Sequence, residues 1–209
     1  TTDQCQAVPE VRAQVRRLVG LLVERNISLL IVTKGDARFL LDVPGFAARD
    51  RLVVATTIEG PPEVLELLSP RAPAYDQRLA SVRRLARAGV RCVVRLDPVF
   101  PHLYQAIYGS GWREAIEGLV ESFAAAGCRH VICSTGRLSK KPPPGWQAPT
   151  SFDRMVGLVA GLDRSLGERF ARDYVFDRSG TSCGYLWRRP ERLEFHRWLR
   201  ERCEAAGMT

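Results

Sequence analysis

Short apolar runs rich in β-branched residues recur along the first 135 positions, and each turns polar at its C-terminal end. Ser28–Thr33 is followed by Lys34, Gly35 and Asp36, and Leu52–Thr57 leads through Thr56 and Thr57 to Glu59. Val90–Leu96 carries Arg95 and gives way to Asp97, Pro98 and Pro101, and His130–Cys133 precedes Ser134, Thr135 and Gly136. Ahead of the first, third and fourth runs the apolar spacing changes to a helical period, over Glu10–Arg25, Ala74–Ala88 and Trp112–Ala126. The helical segments stop at Asn26, Gly89 and Gly127, residues that tolerate the left-handed backbone of a helix C-cap. Four strands alternating with helices of roughly 12–16 residues predict an α/β fold with a parallel sheet and right-handed crossovers. One amphipathic helix is expected to join the second and third strands. In such folds the chemistry collects on the loops after the strand C-termini, which is where the polar endings fall.

Length narrows the architecture. A chain of 209 residues is one large domain or a domain with a tail. A closed eight-unit barrel usually needs about 250 residues, so an open partial barrel is expected. The first residue is Thr and the first helix starts near Glu10, which predicts a chain whose opening units are missing. The expected organisation is a partial βα barrel over 1–140. A Pro-rich linker and C-terminal helical extension would follow over 141–209, with helices at Ser151–Phe170 and Glu191–Ala206. The segment Lys140–Pro149 reads as an extended loop. The Gly- and Ser-rich stretch Ser179–Tyr185, which bears Cys183, reads as a connection or a substrate loop.

Charge adds less than its size suggests. The net charge is +8, and only Lys34, Lys140 and Lys141 among 31 basic residues are lysine. Basic proteins attract phosphates, but here arginines alternate with acids along helix faces, the pattern of a solvated surface. The six cysteines show no C-x-x-C or C-x-x-x-C spacing, so no metal site is written in this chain. Cys92 and Cys133 fall in strands as small buried hydrophobes. No apolar run reaches the length of a membrane span and no signal peptide is visible, so a cytoplasmic protein with no membrane partner is expected.

Several of these segments, in this order, resemble radical S-adenosylmethionine enzymes of the spore photoproduct lyase-like group. The carriers are Thr1-Thr2-Asp3-Gln4-Cys5-Gln6 ahead of the first helix, Ile31-Val32-Thr33-Lys34, and Val53-Val54-Ala55-Thr56-Thr57. Ser69-Pro70-Arg71-Ala72-Pro73 with Arg78-Leu79 and Ala88-Gly89-Val90 continues the match, and Leu96-Asp97-Pro98-Val99-Phe100-Pro101 completes it. The resemblance covers roughly residues 1–135 and implies a (βα)6 partial barrel of which this chain supplies strands three to six. It further implies a [4Fe–4S] cluster whose ligands lie upstream of Thr1, an electron donor, and reductive cleavage of S-adenosylmethionine to a 5′-deoxyadenosyl radical.

Carried onto this chain, the resemblance makes Thr2, Lys34, Thr56, Arg95 and Asp97 the cofactor-binding residues. Lys34 would pair with the methionine carboxylate and the Asp97-Pro98 backbone would approach the adenine. Lys34, Thr56 and Arg95 are expected to share one hollow. His102, Tyr104 and Tyr108, read as a loop after a strand, are the candidate substrate contacts, and no catalytic residue is assigned. Each has a plainer alternative: a solvated loop lysine, ordinary strand threonines, a structural Arg95–Asp97 pair, and aromatics packed on the next helix.

The group's cysteine hydrogen donor is replaced here by Thr1, with Cys5 nearby but out of register. The resemblance therefore implies the broader radical class, with the substrate unassigned and nucleic acid among the candidates. Two other readings remain: a metal-independent βα-barrel lyase or hydrolase built on Lys34, Glu59, Arg95 and Asp97, and a nucleic-acid-binding α/β module.

Overall fold

The computed structural model describes residues 3–48, 50–139, 149–177 and 184–209. Four parallel strands lie side by side in chain order: β1 (Leu29–Thr33), β2 (Leu52–Thr57), β3 (Arg91–Leu96) and β4 (His130–Cys133). They form the expected α/β arc of βα units, and among the described residues the arc does not close into a barrel. Helix α1 (Pro9–Glu24) precedes β1, and α2 (Pro62–Leu68) and α3 (Tyr75–Arg87) join β2 to β3. Helices α4 (Pro101–Tyr108) and α5 (Trp112–Ala125) join β3 to β4. Asn26, Gly89 and Gly127 take positive φ of 54°, 87° and 88°, as expected of residues that end helices.

Two connections differ from the expected alternation. Among its described residues the β1–β2 link holds only a short 3-10 turn, Arg38–Asp42, whose Phe39 and Leu40 are buried together with Val43 and Phe46. Between β2 and β3 there are two helices rather than one. Helix α2 ends at Ser69, just before Pro70, which disfavours helical backbone in the residue ahead of it.

The chain forms two compact units. The first comprises Thr1–Asp97, Glu117–Ile132 and Arg202–Thr209, and the second Pro98–Ile116 and Cys133–Glu201. In the first, Cys92 donates its thiol to the Val82 carbonyl of α3 at 3.7 Å, so the face of β3 that carries Cys92 is the one α3 covers. Val54, Val94, Leu96, Val82 and Leu85 are fully buried. Burial of each such side chain is worth about 1.5–3 kcal/mol, which makes this layer the main support of the sheet.

In the second unit the expected single helix over Ser151–Phe170 is two, α6 (Ser151–Leu162) and α7 (Arg164–Asp173). Asp163 separates them: it ends α6 and accepts the Leu166 N–H at 3.0 Å as the cap of α7, a role its short acceptor side chain suits. The tail is not wholly helical. Strands β5 (Tyr174–Asp177) and β6 (Gly184–Trp187) pair antiparallel ahead of α8 (Arg189–Ala205), as aromatic and β-branched residues favour. Most of the expected linker, Lys140 to Ala148, and of the expected substrate loop, Ser179 to Cys183, lies outside the described residues.

Candidate functional site

Strand register sorts the polar residues onto faces. In β2 and β3 the aligned pairs include Val54↔Cys92, Thr56↔Val94, Ala55↔Val93 and Thr57↔Arg95, and aligned neighbours in a sheet share a face. Thr56 therefore faces α3 beside Cys92 and Val94, buried at 1% exposure. Thr57 and Arg95 occupy the opposite face. β1 pairs Thr33 with Thr56 and Val32 with Ala55, so Lys34, one step past the strand, continues the alternation onto the face of Thr57 and Arg95. Lys34, Thr57 and Arg95, with Gln4 and Val32, line a pocket of about 360 Å3. Lys34 and Arg95 are brought together as expected. Thr56 is not, because a hydroxyl one residue off phase points through the sheet; Thr57 takes the place expected for it.

The turn after β1 is held by Asp3. Its Oδ2 accepts the backbone N–H groups of Lys34 at 2.6 Å and Gly35 at 3.3 Å. Its Oδ1 accepts the Cys5 N–H at 2.8 Å and the Thr33 hydroxyl. Gly35 is packed against the Cys5 backbone, where an added Cβ would come within 2.3 Å of the Cys5 carbonyl oxygen. Burial pushes the Cys5 thiol up to about 11. The carboxylate of Asp3 thus fixes where the Lys34 backbone leaves the strand.

A line of three charges stands behind Lys34. Its ammonium pairs with Glu59, whose side chain is fully buried, and Glu59 Oε2 accepts from Arg78 Nη1 at 2.7 Å. The Arg78 side chain is itself fully buried. Its other donors reach the Thr57 carbonyl at 3.1 Å, the Pro73 carbonyl at 2.6 Å and Ser69 Oγ at 2.8 Å. The Lys34 side chain keeps 40% of its surface. Arg95 pairs with Asp97, two residues on along the same side. Beside Lys34 opens a larger cleft of about 950 Å3 whose charged lining includes Arg12, Asp36, Arg38 and Arg71.

Thr2 lies outside the described residues. His102 and Tyr104 are not in a loop: with Tyr108 they sit on helix α4 of the second unit, which starts at Pro101, a residue suited to a first turn. Tyr104 is fully buried and His102 is 1% exposed, so neither offers a surface to a substrate. His102 Nε2 lies 3.0 Å from Asp173 Oδ2, edge-on to Phe170, Tyr174 and Trp187, and its Nδ1 has no partner among the described residues. Desolvation lowers its pKa against the opposing pull of Asp173. Tyr108 is half-buried with its ring 6.1 Å from that of Tyr104.

Arg78 and Thr57 carry more of the site than sequence reasoning assigned them. The available signal for Arg78 was its phase, since Arg78, Val82 and Leu85 lie on one buried stripe of α3, where an arginine needs a partner.

Chemically, this face offers an ammonium with free donors, a guanidinium balanced by a carboxylate, a hydroxyl, and an apolar wall from Val32. That set suits a ligand with a carboxylate and an apolar or aromatic body. Among the described residues no group of three or more His, Cys, Asp or Glu side chains is placed to hold a metal ion, so an iron–sulfur cluster finds no ligand set in them.

No family model matches the chain, and no curated protein matches it. Solved structures do. A spore photoproduct lyase variant with bound AdoMet and dinucleoside spore photoproduct aligns at a TM-score of 0.68 and 16% identity, over 100% of this chain and 57% of that one. Spore photoproduct lyase complexed with dinucleoside spore photoproduct aligns at 0.67 and 16%, with the same coverage. A further variant with that ligand aligns at 0.69 over 58% of its length. The chain has the fold of spore photoproduct lyase. It spans somewhat under three-fifths of the length of these structures.

Proposed function

We propose that this chain supplies the S-adenosylmethionine-facing wall of a radical enzyme whose substrate is a nucleic acid. The observation that carries the reading is the convergence of Lys34, Thr57 and Arg95 on one open face at the C-terminal ends of adjacent parallel strands. Ligands of open α/β sheets bind at that end. The fold likeness adds support, since one of the structures it matches holds AdoMet and dinucleoside spore photoproduct.

In this reading the Lys34 ammonium binds the methionine carboxylate by a charge-assisted hydrogen bond. Thr57 donates its hydroxyl to a ligand acceptor, and Arg95, steadied by Asp97, orients the ligand from the third strand. The apolar side chains of the same face shield the ligand from water. S-adenosylmethionine held by Lys34, Thr57 and Arg95 would, given one electron from a donor outside the described residues, supply radical hydrogen-abstraction chemistry. The cluster and the electron donor that serves it are outside what the described residues provide. The cleft beside Lys34, rimmed by Arg12, Arg38 and Arg71, suits the phosphates of a nucleic-acid strand.

The test is equilibrium binding of S-adenosylhomocysteine to the intact protein, with anaerobic assay for 5′-deoxyadenosine after reconstitution with iron and sulfide. Micromolar binding and reductant-dependent product are expected. An intact protein that binds neither S-adenosylmethionine nor its demethylated product removes the reading.

A further inference from the structure

Glu59 is fully buried, yet it is contacted by two cations of different kinds. Arg78 reaches it from the interior and is held there, because three of its other four N–H donors go to Thr57, Pro73 and Ser69. Lys34 reaches it from the rim on a flexible four-carbon stem, with 40% of its side chain exposed. A buried ion pair is often no more stabilising than well-packed apolar side chains of the same volume. Neutralising the buried Arg78 accounts for a carboxylate here, but not for one whose second oxygen points outward to a half-exposed lysine.

The Lys34–Glu59–Arg78 line carries one net positive charge at its outer, half-exposed end, beside the Asp3 carboxylate that accepts the Lys34 backbone N–H. Glu59 neutralises one of its two neighbours, and Arg78 is sealed in. A lysine ammonium has three donors; one is directed at Glu59, which leaves two for a ligand. The geometry points to Glu59 as a positioning residue: anchored by Arg78, it holds the Lys34 ammonium at the mouth of the pocket with its free donors turned toward the carboxylate of the ligand. Glu59 touches no ligand itself. This inference rests on the reading of the pocket as an S-adenosylmethionine site.

Without the Glu59 charge, Lys34 and Arg78 face each other as like charges across a small gap, and the lysine stem is released to water. Glu59→Gln offers one oxygen to two donors, so at least one cation loses its partner. Glu59→Asp keeps the charge within reach of Arg78 but draws it back from Lys34.

The experiment compares two ligands on the intact protein: S-adenosylhomocysteine, which carries the carboxylate, and 5′-methylthioadenosine, which does not. Both variants should bind S-adenosylhomocysteine about 10-fold more weakly or worse while binding 5′-methylthioadenosine as the wild type does. In a Lys34→Ala background, Glu59→Asp should produce no further loss, since its effect runs through the lysine. Thermal midpoints are recorded for every variant, and if Glu59→Gln fails to fold, Glu59→Asp carries the comparison. Equal weakening of both ligands would mean a merely structural role and would overturn the inference. So would unchanged S-adenosylhomocysteine binding in Glu59→Asp while Lys34→Ala loses it. A wild-type protein that binds neither ligand instead removes the site reading on which the inference rests.

Discussion

Thr57 and Arg95 stand side by side across the β2–β3 ladder, while Thr56, one residue earlier, is buried on the α3 side. The two adjacent threonines therefore answer to different measurements. Thr57→Val should weaken S-adenosylhomocysteine binding several-fold, the loss of one hydrogen bond worth about 0.5–1.5 kcal/mol, with little change in stability. Thr56→Ala should leave binding alone and lower the unfolding free energy in urea by about 1 kcal/mol. Reversed effects would place the wrong threonine at the ligand.

That phase was not readable in the sequence. β2 is buried along nearly its whole length, so polar and apolar positions do not alternate and nothing marks which threonine faces which way. β3, by contrast, alternates along its run, so that Arg95 and Asp97 were readable as sharing one face, though not which face it was. The strands themselves were visible because β-branched runs end at polar turns. Helix α4 was hidden by Pro98 and Pro101, which read as loop although the second of them starts the helix. The Arg78–Glu59 contact joins residues 19 positions apart and exists only once α3 is packed against β2.

Asp3 satisfies three backbone N–H groups and a hydroxyl. Asp3→Ala leaves the Cys5 and Lys34 N–H groups and the Thr33 hydroxyl without this acceptor, while the Gly35 N–H keeps Thr33 Oγ1 at 2.7 Å. A destabilisation of about 2–3 kcal/mol is expected by urea unfolding, and Asp3→Asn should recover part of it. A loss under 0.5 kcal/mol would show that the turn holds itself.

The His102 pKa is lowered by burial, despite Asp173 and with help from Arg169. His196 is shifted the same way by burial and by Arg192. A histidine harder to protonate when folded binds fewer protons in the native state than in the unfolded one. Stability should therefore be fully present above about pH 6.5 and fall as pH drops through that value toward the folded pKa. Melting curves from pH 8 to pH 5 should show the fall, and His102→Gln should shrink it. A midpoint that rises toward pH 5 would contradict the assignment.

Burial raises the Cys5 and Cys203 thiols to about 11 and Cys92 to about 12. At pH 8 on the order of one Cys5 thiol in a thousand is ionised, too few for fast alkylation. Iodoacetamide followed by peptide mass mapping should leave these three unmodified in the native protein and label them in urea. Rapid native labelling of Cys5 would mean that the Asp3–Gly35 turn opens.

The account depends most on Lys34. Calorimetric titration of the intact protein with S-adenosylhomocysteine, wild type against Lys34→Ala, measures its contribution directly. Removal of a charge-assisted hydrogen bond of about 1.5–3 kcal/mol should weaken binding about 10- to 100-fold, measured well below the melting temperature of the variant, which loses one partner of the buried Glu59. Equal affinity in the two proteins would contradict the central claim.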